Sequence, residues 1–282
     1  MFRSAKGKEG RERNQGLPSD RSLPPGRRSV LGVPFDLIDY RDVIDAIEAW
    51  RRGGERRYVT CTPPYSVMMS TRDPELAAAT EEAGLVLPDG IGIIMAAKML
   101  GYPNKGRVSG PTLMLKACDW GREHGYRHYF YGGASGVADL LAERLSQQYP
   151  GLEVAGTYCP PFRPMTQKED AAVVEAVNMA KPDIVWVGLG SPKQEVWMRE
   201  HAGRIRAAAM IGVGAAFDFH SGRARWAPRL LRGLGVEWAY RLANEPGRMW
   251  RRNVNSVVFI AGVFRQYLRH RTAADSTTGT ND

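Results

Sequence analysis

The feature of this 282-residue chain that most restricts its fold is a repeated alternation, between about residues 57 and 219, of short apolar runs with segments of helical periodicity. Six runs have strand length: "RYVTCT", "LVLPD", "HYFYGG", "EVAGTY", "DIVWVGLG" and "AAMIGVGAAFDF". Between them, "VADLLAERLSQQY" and "KEDAAVVEAVNMAK" carry apolar residues at helical spacing. The second is entered through Thr166 with Glu169 three residues on, the spacing of a capping box. Strands that are apolar on both faces and separated by helices pair in parallel and are covered on both sides. The pattern therefore predicts an α/β chain with a Rossmann-like, mostly parallel sheet and helices on both faces. Upstream, "SVLGVPFDLIDY" reads as a short strand or hairpin, and "RDVIDAIEAWRRG" sets Val43, Ile44, Ile47 and Trp50 at helical spacing ahead of Gly53 and Gly54.

Charge divides the rest of the chain. The net charge is +9, but residues 1–30 hold 8 Lys/Arg against 3 acids, residues 31–222 hold 20 against 23, and residues 223–271 hold 11 Arg against Glu237 and Glu245. The body is mildly acidic, so a nucleic-acid groove through it is not expected, whereas an anionic surface at the C-terminal end is. Residues 1–28, rich in Arg, Gly, Ser and Pro, read as a disordered basic arm, and 272–282 as a disordered tail. Residues 29–222 form the expected catalytic domain and 223–271 a helical, Arg-rich appendage. The three cysteines, Cys61, Cys118 and Cys159, have no pairing or metal-ligand spacing, which fits a reducing cytoplasm. No apolar h-region or spanning run of about 18 residues is present, so neither secretion nor membrane insertion is expected.

In parallel sheets ligands bind beyond the carboxyl ends of the strands. Asp89, after "LVLP", can serve as a general base or cap the helix that follows Gly90. Gly132 and Gly133 open a strand-to-helix turn that either presents backbone N–H groups to a phosphate or is a plain turn, since it is no G-x-G-x-x-G fingerprint. Gly190, Ser191, Lys193 and Gln194 shape a second such turn, where Gln194 can donate to sugar or phosphate oxygens. Phe217 and Asp218 end the last apolar run, where an aromatic ring can stack on a base or pack in the core. Arg107 in "GRVSGP" is a cation for a diphosphate or a solvated surface arginine. No H-x-x-H, H-E-x-x-H or D-x-D pattern occurs, and neither a metal nor a cofactor is expected.

Taken in order, "LVLPDGIGI", "RVSGPTLM", "YFYGG", "PDIVWVGLGSPKQEVW", "GVGAAFDFHSG", "WAPRLL", "GVEWAYRL" and "EPGRMWRR" closely resemble the WecG/TagA/CpsF glycosyltransferases, across nearly all of residues 30–270. The resemblance implies transfer of N-acetylmannosamine, its uronic acid or glucose from a UDP-sugar to an undecaprenyl-diphosphate-linked saccharide, inverting and without a metal. It assigns the general base to Asp89, a diphosphate arginine to Arg107, a donor-site glutamine to Gln194, and arginines of a closing appendage to Arg241, Arg248 and Arg251. One stretch departs: "VTCTPPYSV" lacks the Asn of the family's Thr-x-Asn segment, leaving Thr60 and Thr62 as alternative sugar contacts.

The appendage also holds "NVNSVVFIAGVFRQYLRHR", too short to span a bilayer but suited to lying on one, or to packing on the body as an ordinary amphipathic helix. The expected location is the inner face of the plasma membrane, peripherally attached. Two other readings are a non-catalytic sugar-nucleotide scaffold and an NAD-dependent oxidoreductase, the latter weakened by the missing fingerprint. Assembly into a homo-oligomer is left open by the sequence.

Overall fold

The computed structural model of the protein describes residues 26–233, 237–244, 247 and 257–271. An antiparallel hairpin, β1 (Arg27–Val30) and β2 (Val33–Asp36), comes first. Six further strands follow: β3 (Arg57–Thr62), β4 (Leu85–Pro88), β5 (Arg127–Gly132), β6 (Glu153–Tyr158), β7 (Ile184–Gly188) and β8 (Ala209–Gly212). They form one sheet in the order β4-β3-β8-β7-β5-β6, parallel throughout. The expected α/β architecture is the observed one.

Helices cover both faces because side chains on each strand alternate between two cores. One core joins Val59 and Cys61 of β3, Phe130 of β5 and Trp186 of β7 to α1 (Tyr40–Gly53), α5 (Gly110–Trp120), α6 (Val137–Gln148) and α9 (Ala216–His220). The other joins Tyr58, Tyr129, Tyr131, Val185 and Met210 to the hairpin, α2 (Pro64–Ser70), α4 (Ile91–Met99), α7 (Gln167–Met179) and α8 (Lys193–Glu200). Between α2 and β4 lies α3 (Pro74–Glu81), and after α9 come α10 (Arg229–Gly233) and α11 (Glu237–Asn244). A last helix, α12, spans 257–271 and buries Phe259 and Val263 against the hairpin.

Local chemistry sets the boundaries. The Asp39 carboxylate accepts from the backbone of Arg41 and Asp42 at the start of α1, and Gly54 ends that helix in a left-handed conformation. The Thr166–Glu169 box forms at α7 as its spacing predicts. The last apolar run behaves differently from expectation. It is strand only to Gly212, and Phe217 and Asp218 lie in a helix rather than at a strand end. The reason is Gly214, whose φ of +49° breaks the extended chain.

The first described residues enter the hairpin at Arg27, inside the segment expected to be an arm; the rest of that arm and the tail lie outside the described residues. The Arg27 guanidinium pairs with Asp36 at 3.1 Å and donates to the carbonyls of Ala83 and Gly84, tying the hairpin to the edge of the sheet. Among the described residues no helix is long and apolar enough to cross a membrane.

Candidate active site

The carboxyl ends of β3, β4, β5, β7 and β8 open onto a cleft of about 1530 Å³. Asp89, Arg107, Gly133, Gly190, Ser191, Lys193, Gln194 and Asp218 all line it. Register brings them together: Thr60 of β3 pairs with Gly212 of β8 and with Val86 of β4, and Val187 of β7 pairs with Gly212, so the loops leave the sheet at one level.

Asp89 is half-buried just beyond β4, its N–H donating to the Thr62 carbonyl at 3.3 Å. Gly90, with φ of +108°, takes the cap position of α4, so that Asp89 stands one residue ahead of it. Arg107 comes from the loop before α5 and donates to the Arg232 carbonyl at 3.3 Å, joining the cleft to α10. The Arg232 guanidinium lies 3.5 Å from the centroid of the Trp226 ring. Burial pulls its pKa down from the ordinary value; Arg229 and Arg107 act in the same direction, and Glu237 opposes them. The arginines at this corner therefore crowd one another.

The two glycine turns are not alike. At Gly132, φ is +135° and an added Cβ would lie 2.6 Å from the Gly188 backbone, while one on Gly188 would lie 2.5 Å from the Phe217 ring. The Gly133 N–H is already spent on the Gly188 carbonyl at 3.1 Å. Glycine here is demanded by the closeness of β5 and β7, and that amide is unavailable to a phosphate. At the β7–α8 turn, by contrast, a Cβ on Gly190 would meet nothing within 4 Å, and the exposed Lys193 stands at the helix start.

Besides Gly132, three expected contacts do not line the cleft. Phe217, 1% exposed, packs edge-on to Phe130 with ring centroids 6.4 Å apart, so its ring belongs to the core and not to a base. Thr60 and Thr62 are buried, and the Thr62 hydroxyl donates to the Thr60 hydroxyl at 3.2 Å; the side chain of this strand that lines the cleft is Cys61. Burial pushes the Cys61 thiol up, and the nearby carboxylates of Asp89 and Glu195 add to the shift. Of the appendage arginines, Arg241 lies in α11, while Arg248 and Arg251 fall outside the described residues.

The sequence shows Glu195 only as a polar residue in the first turn of α8, and does not show the Pro160–Phe162 segment as part of the cleft. Glu195 is 3% exposed and accepts from the Gln194 amide at 3.0 Å. Its signal lies in the helical period, since Met198 three residues on is a core residue and places Glu195 on the same inward face. The Pro160–Pro161–Phe162 segment also lines the cleft, with Phe162 91% exposed. Among the described residues no group of three or more His, Cys, Asp and Glu side chains is arranged to hold a metal ion.

A parallel sheet whose carboxyl ends gather an aspartate, a glutamine and arginines in one open cleft defines the class: the protein is a glycosyltransferase. It belongs to the glycosyl transferase WecG/TagA/CpsF family, whose model matches residues 28–273. Among its relatives is an N-acetylglucosaminyldiphosphoundecaprenol N-acetyl-beta-D-mannosaminyltransferase of Bacillus spizizenii, 30% identical over 217 residues that cover 77% of this chain and 80% of the relative. A Staphylococcus aureus protein of the same name is 26% identical over 214 residues, covering 75% and 82%.

Proposed function

We propose that the protein transfers a sugar from a UDP-sugar to a polyprenyl-diphosphate-linked saccharide in cell-surface polysaccharide synthesis, by a single inverting displacement without a metal. The observation that carries this reading is Asp89: it lines the cleft shared with Arg107 and Gln194, directly beyond the carboxyl end of β4. The names of the two relatives support a lipid-diphosphate-linked GlcNAc as acceptor and an N-acetylmannosaminyl group as the moiety moved. The donor sugars of this reading are N-acetylmannosamine, its uronic acid and glucose.

In this mechanism the Asp89 carboxylate takes the proton of the acceptor hydroxyl as its oxygen bonds to the anomeric carbon. The bond from that carbon to the diphosphate breaks on the opposite face, and UDP leaves with the electron pair, so the configuration inverts. Arg107, Lys193 at the start of α8, and Arg241, Arg248 and Arg251 of the appendage balance the charge that develops on the diphosphate. Asp218 and the Gly190–Ser191 turn contact the nucleotide-sugar.

The same reading holds the enzyme peripherally against the inner face of the plasma membrane through residues 223–271. Its support is α12, which buries Phe259 and Val263 and leaves Val257, Ile260 and Phe264 exposed at spacings of three and four. Val257 and Ile260 line the cleft together with Ile91 and Met95 of α4, so an apolar surface leads to the place where a lipid-linked acceptor reacts.

The test is a transfer assay of the purified chain with UDP-N-acetylmannosamine, its uronic acid analogue and UDP-glucose, with a GlcNAc-diphosphate-lipid acceptor in anionic vesicles. The proposal expects an inverted glycosidic product from one of these donors with EDTA present. UDP-sugar binding with no product on any such acceptor would instead indicate a scaffold.

A further inference from the structure

Beneath the β7–α8 turn lies a buried polar cluster, in which Ser66 and Glu195 have no part in the mechanism above. Ser66, Gln194 and Glu195 are each 3–4% exposed. The Ser66 and Ser191 hydroxyls are 3.3 Å apart. The Gln194 Nε2 donates to Glu195 Oε1 at 3.0 Å. Two acceptor atoms are left buried without a hydrogen-bond partner, Gln194 Oε1 and Glu195 Oε2. Buried acceptors of this kind are uncommon and call for an explanation.

The amide has a defined direction. A Cβ placed on Gly212, inside β8, would lie 3.0 Å from the Gln194 Nε2, whereas a Cβ placed on Gly214, in the loop that lines the cleft, would lie 3.5 Å from Oε1. The nitrogen is thus turned into the sheet and the oxygen toward the cleft. Turning the amide over would set its oxygen against Glu195 Oε1, two acceptors in contact.

We propose that Glu195 is a positioning residue, whose carboxyl group fixes the Gln194 amide so that Gln194 meets its ligand as a hydrogen-bond acceptor. The ligand group at this point is therefore a hydroxyl or an N–H of the nucleotide-sugar, and not a phosphate oxygen, which has no proton to give. This deepens the transferase reading and rests on it for the identity of the ligand. Burial holds the Glu195 carboxyl above its ordinary pKa, and the hydrogen bonds it receives, that from the Gln194 amide foremost, offset only part of the rise.

The experiment measures binding of UDP, UDP-glucose and UDP-N-acetylmannosamine to the full-length protein by titration calorimetry without acceptor, followed by KM and kcat for transfer. Glu195→Ala frees the amide to rotate, and is expected to weaken binding of the UDP-sugar or UDP by about tenfold, the worth of one good hydrogen bond, with the change in KM and little in kcat. Glu195→Gln keeps an oxygen that can accept from Nε2 and should restore binding to within about threefold of wild type. A donor analogue lacking the hydroxyl that Gln194 reads should bind both wild type and Glu195→Ala equally poorly. Thermal denaturation of each variant separates loss of folding from loss of binding.

Unchanged binding by folded Glu195→Ala would overturn the proposal, as would a Glu195→Gln variant no better than Glu195→Ala. Because binding is read without acceptor, a wild-type protein that binds UDP-sugars but transfers nothing sinks the transferase reading alone.

Discussion

Gly132 and Gly188 show how a single hydrogen atom in place of a side chain decides the shape of the cleft floor. The carboxyl ends of β5 and β7 meet there, and Phe217 fills the space directly below. Gly132→Ala should destabilise the fold by about 1–3 kcal/mol through overpacking, with further strain from its φ of +135°. Gly136→Ala, at a φ of +76° with nothing within 4 Å, carries backbone strain alone and should cost about 1 kcal/mol. Urea denaturation of the two variants checks the order; equal losses would mean that close packing is not the reason for Gly132. At this scale the sequence was legible in part. Asp89, Lys193 and Gln194 follow strands closely, and chain direction alone sends them to the cleft, whereas Arg107 reaches it from the loop between α4 and α5. Thr60, Thr62 and Phe217 were not, because whether a residue near a strand end faces the cleft or a covering helix depends on partners far along the chain.

Most elements could be read from their own residues. The strand "RYVTCT" matches β3 from Arg57 to Thr62, and α7 begins at its capping box, because these boundaries are set by local periodicity and local hydrogen bonds. The run "AAMIGVGAAFDF" misled because a continuous apolar stretch has no period to distinguish strand from helix, and the break came from Gly214 alone. Joining α12 to the hairpin was beyond any local signal. The Gln266 amide does it, accepting from the Leu31 N–H at 2.9 Å and donating to the Ser29 carbonyl at 3.0 Å, across 235 and more residues of chain. Gln266→Ala removes both bonds and should cost about 1–3 kcal/mol. Hydrogen exchange should speed up in residues 27–36 and 257–271 together; exchange unchanged in both segments would show that this amide does not hold the helix in place.

For the whole molecule, the parallel α/β layer was legible because its strands are apolar on both faces, a demand that only a sheet covered on two sides can meet. The segmental charge also has a physical reading: an acidic body and an arginine-rich end suit an enzyme that works beside an anionic surface. What the sequence could not supply was the cleft's inner wiring, such as the Gln194–Glu195 pair, since burial of a polar side chain shows only when every neighbour is in place. The proposed reaction turns on Asp89 removing the proton from the acceptor hydroxyl. The most direct measurement is turnover of Asp89→Asn with its best UDP-sugar and a GlcNAc-diphosphate-lipid acceptor, alongside donor affinity. A fall in kcat of about 10²–10⁴-fold is expected, with donor binding retained. Transfer near the wild-type rate by a folded Asp89→Asn protein would contradict it.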